Sequence, residues 1–366
     1  MIARPSSSLR RQRGLTLTEL MISVVIGLLV VSALIVVYLG SRAAYRNSES
    51  LARVQETGRF AVDFIVQDSR MSSYMGCRSR NLIIDDETLI NITANPQANF
   101  SGVADGVFGF ENGTGWTNPT TITRVAGDVL TLRRGTGMNV GILSNSNPVA
   151  RTVTLRHNAI GLRNNDLAVL SNCERALVFR VTNTPALTGI GDYPTVLEYK
   201  ATGAGASGAA GNDTRDVPTF NLGSRAEVLR FVEVSYFVGQ NAAGRPSLFR
   251  AAGGAVEELV DNVEDMDIVY GVDTTLPDRD GIIDVHLRAD QMTAANWSRV
   301  VSARISLLVV GPEERLTTAR QTYAFGESGG IAGTDGDGLP NTFQAPADGR
   351  LRHVFTTTIS LRNRVL

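Results

Sequence analysis

The chain has 366 residues, room for one large domain or two average ones, and 43% of them are hydrophobic, which excludes wholesale disorder. Lysine and arginine number 35 against 36 acids, and a formal net charge of −1 gives no electrostatic reason to expect nucleic acid as a partner. The balance is uneven along the chain. Arg4, Arg10, Arg11 and Arg13 precede the first acid, and without them 31 basic residues face 36 acidic ones.

Behind those arginines, Leu15 to Ser41 is an apolar run whose only charge is Glu19. A helix rises 1.5 Å per residue and needs about 20 residues to cross the hydrocarbon core, so the run is long enough to span a membrane. The positive-inside rule keeps the arginines cytoplasmic and sends the bulk of the chain to the periplasm or outside. A secretory signal has a shorter apolar region, about 7–15 residues, and a small-x-small site after it, which Ser41-Arg42-Ala43 imitates poorly. A plain anchor explains neither Gly14 nor Glu19, since an unpaired carboxylate inside a membrane segment is costly and marks function.

Arg13-Gly14-Leu15-Thr16-Leu17-Thr18-Glu19-Leu20 resembles the prepilin leader junction of type IV pilins and type II secretion pseudopilins. The resemblance implies cleavage between Gly14 and Leu15 by a prepilin peptidase on the cytoplasmic side, and methylation of the new N-terminus. Glu19 then becomes the fifth residue of the mature chain, placed to neutralise the free amine of a neighbouring subunit in a dry setting, where attraction is strong. Leu15 departs from the phenylalanine usual in the family. No proline falls between Pro5 and Pro96, whereas major pilins commonly carry one along this helix, and its absence tilts the reading toward a minor subunit.

Leu51, Val54, Gly58, Ala61 and Ile65 recur at spacings of three and four, one face of an amphipathic helix. One long helix is therefore expected from about Leu15 to about Met75, stopped at Gly76 and packed on the head by its apolar face. Beyond it the pattern is of short strands between turn residues: Val129 to Arg134, Leu167 to Leu170, Ala176 to Thr182, Thr195 to Lys200, Ser247 to Ala251, Val300 to Val310 and Val354 to Leu361. Val228 to Val238 is apolar on both parities, which predicts a central strand covered by the helix on one side. The predicted fold is α+β and pilin-like: 1–14 leader, 15–41 membrane and assembly helix, 42–76 amphipathic helix, 77–366 antiparallel β-rich head. Ala201 to Asp213 and Gly326 to Pro346 read as small-residue and Gly/Asp-rich loops. Gly203-x-Gly205-x-x-Gly208 lacks the strand–turn–helix context of a nucleotide site.

Leu259 to Asp273, Trp297 to Val309, Arg352 to Asn363 and Leu170 to Cys173 resemble the PilW-type branch of minor pilins. That resemblance implies a subunit that initiates or caps a type IV pilus. Its implied partners are the prepilin peptidase, other minor pilins, the major pilin, the inner-membrane assembly platform and membrane lipid. A pseudopilin at a type II secretion tip is the alternative, and a membrane-anchored enzyme or receptor ectodomain is a third class.

Two further readings come from residues alone. Cys77 and Cys173 are the only cysteines, and in an oxidising compartment a single pair reads as one structural disulfide, against two unrelated buried thiols. Asp273, Asp278, Asp280 and Asp284 surround an Asp-x-Asp-Gly string typical of the middle of a calcium loop. Leu276 and Leu287 stand at the first and twelfth positions, so the full pattern fails, and Asp-Gly is above all a turn signal. His157, His286 and His353 lie far apart without ligand spacing, and no Gly-x-Ser-x-Gly elbow occurs, so no enzyme is expected.

Overall fold

The computed structural model describes residues 16–76, 89–93, 106–172, 174–201, 211–221, 225–275, 280–314, 316, 321–324 and 342–364. The chain divides into two compact units, Met1–Ala52 and Arg53–Leu366.

In the first unit the described chain is helical from Leu17. Helix α1 (Leu17–Arg70) starts here and continues into the second unit. Its large apolar residues from Leu17 to Leu39 are all exposed, and the helix is long and apolar enough to cross a membrane. Such a segment, apolar on every side, is stable only in lipid or against other apolar helices.

The second unit joins the end of α1 to the strands. In chain order these are β1 (Leu89–Asn91), β2 (Val107–Phe110), β3 (Arg124–Gly141), β4 (Thr152–Leu155), β5 (Leu167–Ser171), β6 (Ala176–Arg180), β7 (Thr195–Glu198) and β8 (Glu227–Gln240). Then come β9 (Pro246–Ala252), β10 (Ala255–Asp261), β11 (Val263–Val272), β12 (Val285–Leu287), the short helix α2 (Ala294–Trp297), β13 (Val300–Val310), β14 (Thr322–Ala324), β15 (Thr342–Gln344) and β16 (Arg352–Ser360).

The first large sheet runs β1-β6-β5-β8-β3-β2, with β9 added to β8 and β10 to β9; only β1 and β6 are parallel. β8 is central as expected. One of its edges carries β3, and the other is shared, β5 on its first residues and β9 on its last. A second, antiparallel sheet runs β12-β11-β13-β16. Val54, Ala61 and Ile65 of α1 share one core with Leu130, Leu132, Val234, Tyr236 and Val238 of the first sheet and Met266, Ile268, Ile305 and Leu307 of the second. The three-and-four spacing thus buries the marked face from Val54 to Ile65, while Leu51, at its start, is exposed. Gly58, on that same face, clears the space that the Phe355 ring of β16 fills.

Two expectations need correction. The helix ends at Arg70, not near Met75. Ser73 turns the backbone at φ +64°, and its N–H donates to Arg133 O of β3 at 2.8 Å. Gly135 N–H then donates to Tyr74 O, so the sheet takes up backbone groups that a longer helix would keep to itself. The stretch read as a loop from Gly326 to Pro346 contains β15, which pairs with β14.

Candidate assembly surface

Glu19 opens the helix. Thr16 N–H donates to Glu19 Oε2 at 3.0 Å, Thr16 Oγ1 donates to the same oxygen at 2.9 Å, and Glu19 N–H donates to Thr16 Oγ1 at 3.3 Å. This is a reciprocal capping box, in which the first turn satisfies its own orphan donors. The Thr-x-x-Glu spacing that encodes it stands in the sequence from Thr16 to Glu19, so Glu19 has a role within its own helix besides the expected subunit pairing. Gly14 and Leu15, the expected cleavage pair, lie outside the described residues.

At the far end of α1, Asp68 gathers three strands. Its Oδ1 accepts from Arg134 of β3 at 2.8 Å, and its Oδ2 accepts from Arg250 of β9 at 3.0 Å and from the Tyr236 hydroxyl of β8 at 2.7 Å. Burial and the Asp68 carboxylate push the Tyr236 hydroxyl well above its ordinary pKa. No sequence signal points to this junction, because its members are 66 to 182 residues apart.

Around the contact of β3 with β11 stands a set of acids for which the sequence gives no local sign: Asp128 is buried, and Glu111, Asp265 and Asp267 are half-buried. Asp128 of β3 accepts from Asn112 N–H and from Ile268 N–H of β11, each at 2.8 Å, and so bridges the sheets. Burial, with Glu111 adding its charge, pushes the Asp128 carboxyl up to about 8. Burial pushes Glu111 up to about 7, against the pull of Arg288, which stands 3.8 Å away. Asp265 and Asp267 of β11 rise to about 6 for the same reason. On β16, Arg352 grips Glu264 through Nε and Nη2 at 2.6 and 2.8 Å and reaches Asp348 at 2.8 and 2.7 Å. Those bonds hold the Asp348 carboxyl down at about 2.

The aspartates of the partial calcium string are drawn into their own loop. Asp273 accepts from Thr275 and Gly281 N–H, Asp280 from Ile282 N–H, and Asp284 from Thr274 N–H and the Thr274 and Thr275 hydroxyls. Among the described residues no three His, Cys, Asp or Glu side chains gather into a metal-binding group. Asp278 lies outside the described residues. So do Cys77 and Cys173, and with them the expected disulfide, and the Gly203–Gly208 string.

Two family profiles match the chain. Residues 9–35 match the prokaryotic N-terminal methylation motif, and residues 235–363 match the type IV pilus-assembly protein W family. The chain thus pairs a prepilin-type N-terminal motif with a PilW-type region in its head. The PilW-type region begins within β8 and takes in all of the second sheet, so it covers the bridged acids of β11, the Arg352 grip and β16. A solved type IV-like pilin from Thermus thermophilus is 20% identical, with 37% of this chain and 67% of that one covered at a TM-score of 0.25, and nothing rests on that likeness. No curated protein matches the chain.

The two matches point to a structural subunit that contacts other pilus components. The exposed apolar half of α1, fronted by a capped acid, is the surface most suited to that contact.

Proposed function

We propose that this chain is a minor pilin that initiates or caps a type IV pilus. It enters the inner membrane with its arginines cytoplasmic and its head periplasmic, and a prepilin peptidase cuts it between Gly14 and Leu15. It then leaves the membrane with other minor pilins, ahead of the major pilin, through the inner-membrane assembly platform. The observation that carries this reading is a methylation motif running without interruption into a helix apolar on all sides, ahead of a head with a PilW-type region. Cleavage ahead of the helix leaves it attached to the head, so one segment serves first as anchor and then as filament core. The experiment is a deletion strain complemented with the wild-type chain, in which surface filaments and secreted proteins are both counted. Loss of filaments with secretion intact supports the reading. Loss of secretion with filaments intact replaces it with a pseudopilus role.

A further inference from the structure

The edges of the two large sheets are not equally protected. β1, β2 and β12 are only three or four residues long. β10 is longer, but it carries Glu257 and Glu258, and its pairing with β9 slips between Glu258 and Val260. Shortness, charge and bulges are the usual means of preventing an edge from recruiting another strand. From Val354 to Ser360, β16 has none of them. It reads Val-Phe-Thr-Thr-Thr-Ile-Ser, without charge or proline, and pairs with β13 with no shift in register. β-Branched and aromatic residues of this kind favour a strand.

The backbone groups this edge offers follow from its pairing. Gly311 N–H donates to Leu351 O at 2.7 Å and Leu361 N–H donates to Val301 O at 2.9 Å, so odd-numbered residues turn their backbone groups toward β13. Sides alternate along a strand, and the N–H and C=O of Val354, Thr356, Thr358 and Ser360 therefore face the open side. No described residue pairs with them there. Among the described residues, only the start of the strand is approached, by Tyr323 of β14 beside Arg352. The open stretch is flanked by Arg350 before it and Arg362 after it, while the buried Arg352 is taken up by Glu264 and Asp348. A second copy laid antiparallel on the same edge would set Arg362 of one chain near Arg350 of the other, like charge on like.

We propose that the open edge of β16 is an interaction site that takes an extended segment of another pilin-like subunit as an added strand. That segment is uncharged over about seven residues, to match the open edge, and acidic at its ends. The partner class rests on the assembly role proposed above; the site rests on the edge itself.

The test uses the full chain in detergent micelles and a synthetic peptide of alternating valine and threonine with aspartates at both ends. A lysine-flanked version of the peptide is the control. Amide hydrogen exchange is followed across residues 353–361. The aspartate-flanked peptide is expected to slow exchange at Thr356 and Thr358 about tenfold, and the lysine-flanked one less. Thr358→Pro removes an outward N–H, and Thr356→Lys adds a charge to the edge. Each is expected to abolish the protection while leaving the melting temperature in place. Unchanged exchange with the aspartate-flanked peptide overturns the site. Self-association of the full chain by sedimentation, lost in Thr358→Pro, overturns the heterologous partner in favour of a second copy. The assembly role fails separately, through normal filaments in the deletion strain, whatever the peptide does.

Discussion

The Tyr236 hydroxyl donates to the Asp68 carboxylate at 2.7 Å, tying the last full turn of the helix to the central strand of the first sheet. Arg134 and Arg250 hold the same carboxylate from β3 and β9. Asp68→Ala leaves two guanidinium groups without this acceptor and the Tyr236 hydroxyl with only the longer bond to Phe64 O at 3.3 Å, and is expected to cost about 2–4 kcal/mol. Tyr236→Phe removes the hydroxyl that Asp68 and, at 3.3 Å, Phe64 O share, and is expected to cost about 1 kcal/mol. Urea midpoints of the full chain in micelles check both. Equal midpoints for wild type and Asp68→Ala would remove this junction from the account.

Gly58 and Phe355 make a second contact between helix and sheet. A Cβ on Gly58 would fall within the Phe355 ring, so Gly58→Ala is expected to destabilise by about 1–3 kcal/mol, in spite of alanine's better helix propensity. Combining it with Phe355→Leu is expected to restore part of the loss. A double-mutant cycle with no coupling would contradict the contact.

The acids around the contact of β3 with β11 give the head a pH dependence with a definite sign. Asp128, Glu111, Asp265 and Asp267 have folded-state pKa values raised to about 8, 7, 6 and 6. A raised acid contributes stability that is complete below its unfolded pKa, near 4, and is lost as pH climbs to the folded value. The head is therefore expected to melt several degrees lower at pH 8.5 than at pH 5. Arg288 faces Glu111 and Asp267, Arg304 faces Asp267 and Arg124 faces Asp265, and each moderates the shift. Asp348 acts oppositely: held at about 2, its contribution is present above pH 4 and lost as pH falls toward 2. Asp128→Asn is expected to flatten the slope between pH 5 and 8.5, measured by circular dichroism melts; a slope unchanged by it would contradict the assignment.

Much of this fold is written locally. Leu20 to Gly40 has no charge to interrupt it, and Val228 to Val238 is apolar on both parities, so helix and central strand can be read without knowing their neighbours. Val300–Val310 matches its expected strand residue for residue. What was illegible depends on distant partners. Gly76 looked like the helix stop, but the stop is set by Arg133 of β3 capturing Ser73. Asp265 and Asp267 look like solvent-facing acids in any local window, and only the packing of β3 against β11 half-buries them. Glu19 is the opposite case, because its cap partner Thr16 lies three residues away and the signal was there to be read.

That cap separates two roles for Glu19. Glutamine also completes a capping box but carries no charge. If pairing with a neighbouring amine drives assembly, Glu19→Gln and Glu19→Val are both expected to leave insertion and cleavage intact and to reduce filament number. Normal filaments in Glu19→Gln, with loss in Glu19→Val, would show that the cap alone matters. Electron-microscopic filament counts beside immunoblots of the mature chain decide between them.

The central claim, that this chain is processed as a prepilin, is tested most directly by intact mass and N-terminal sequencing of the protein extracted from membranes. The expected species begins at Leu15 with a methylated amine, and Gly14→Val is expected to retain all 366 residues. A native chain that keeps its first 14 residues, or that begins at Ala44 after a cut behind Ala43, would contradict the account.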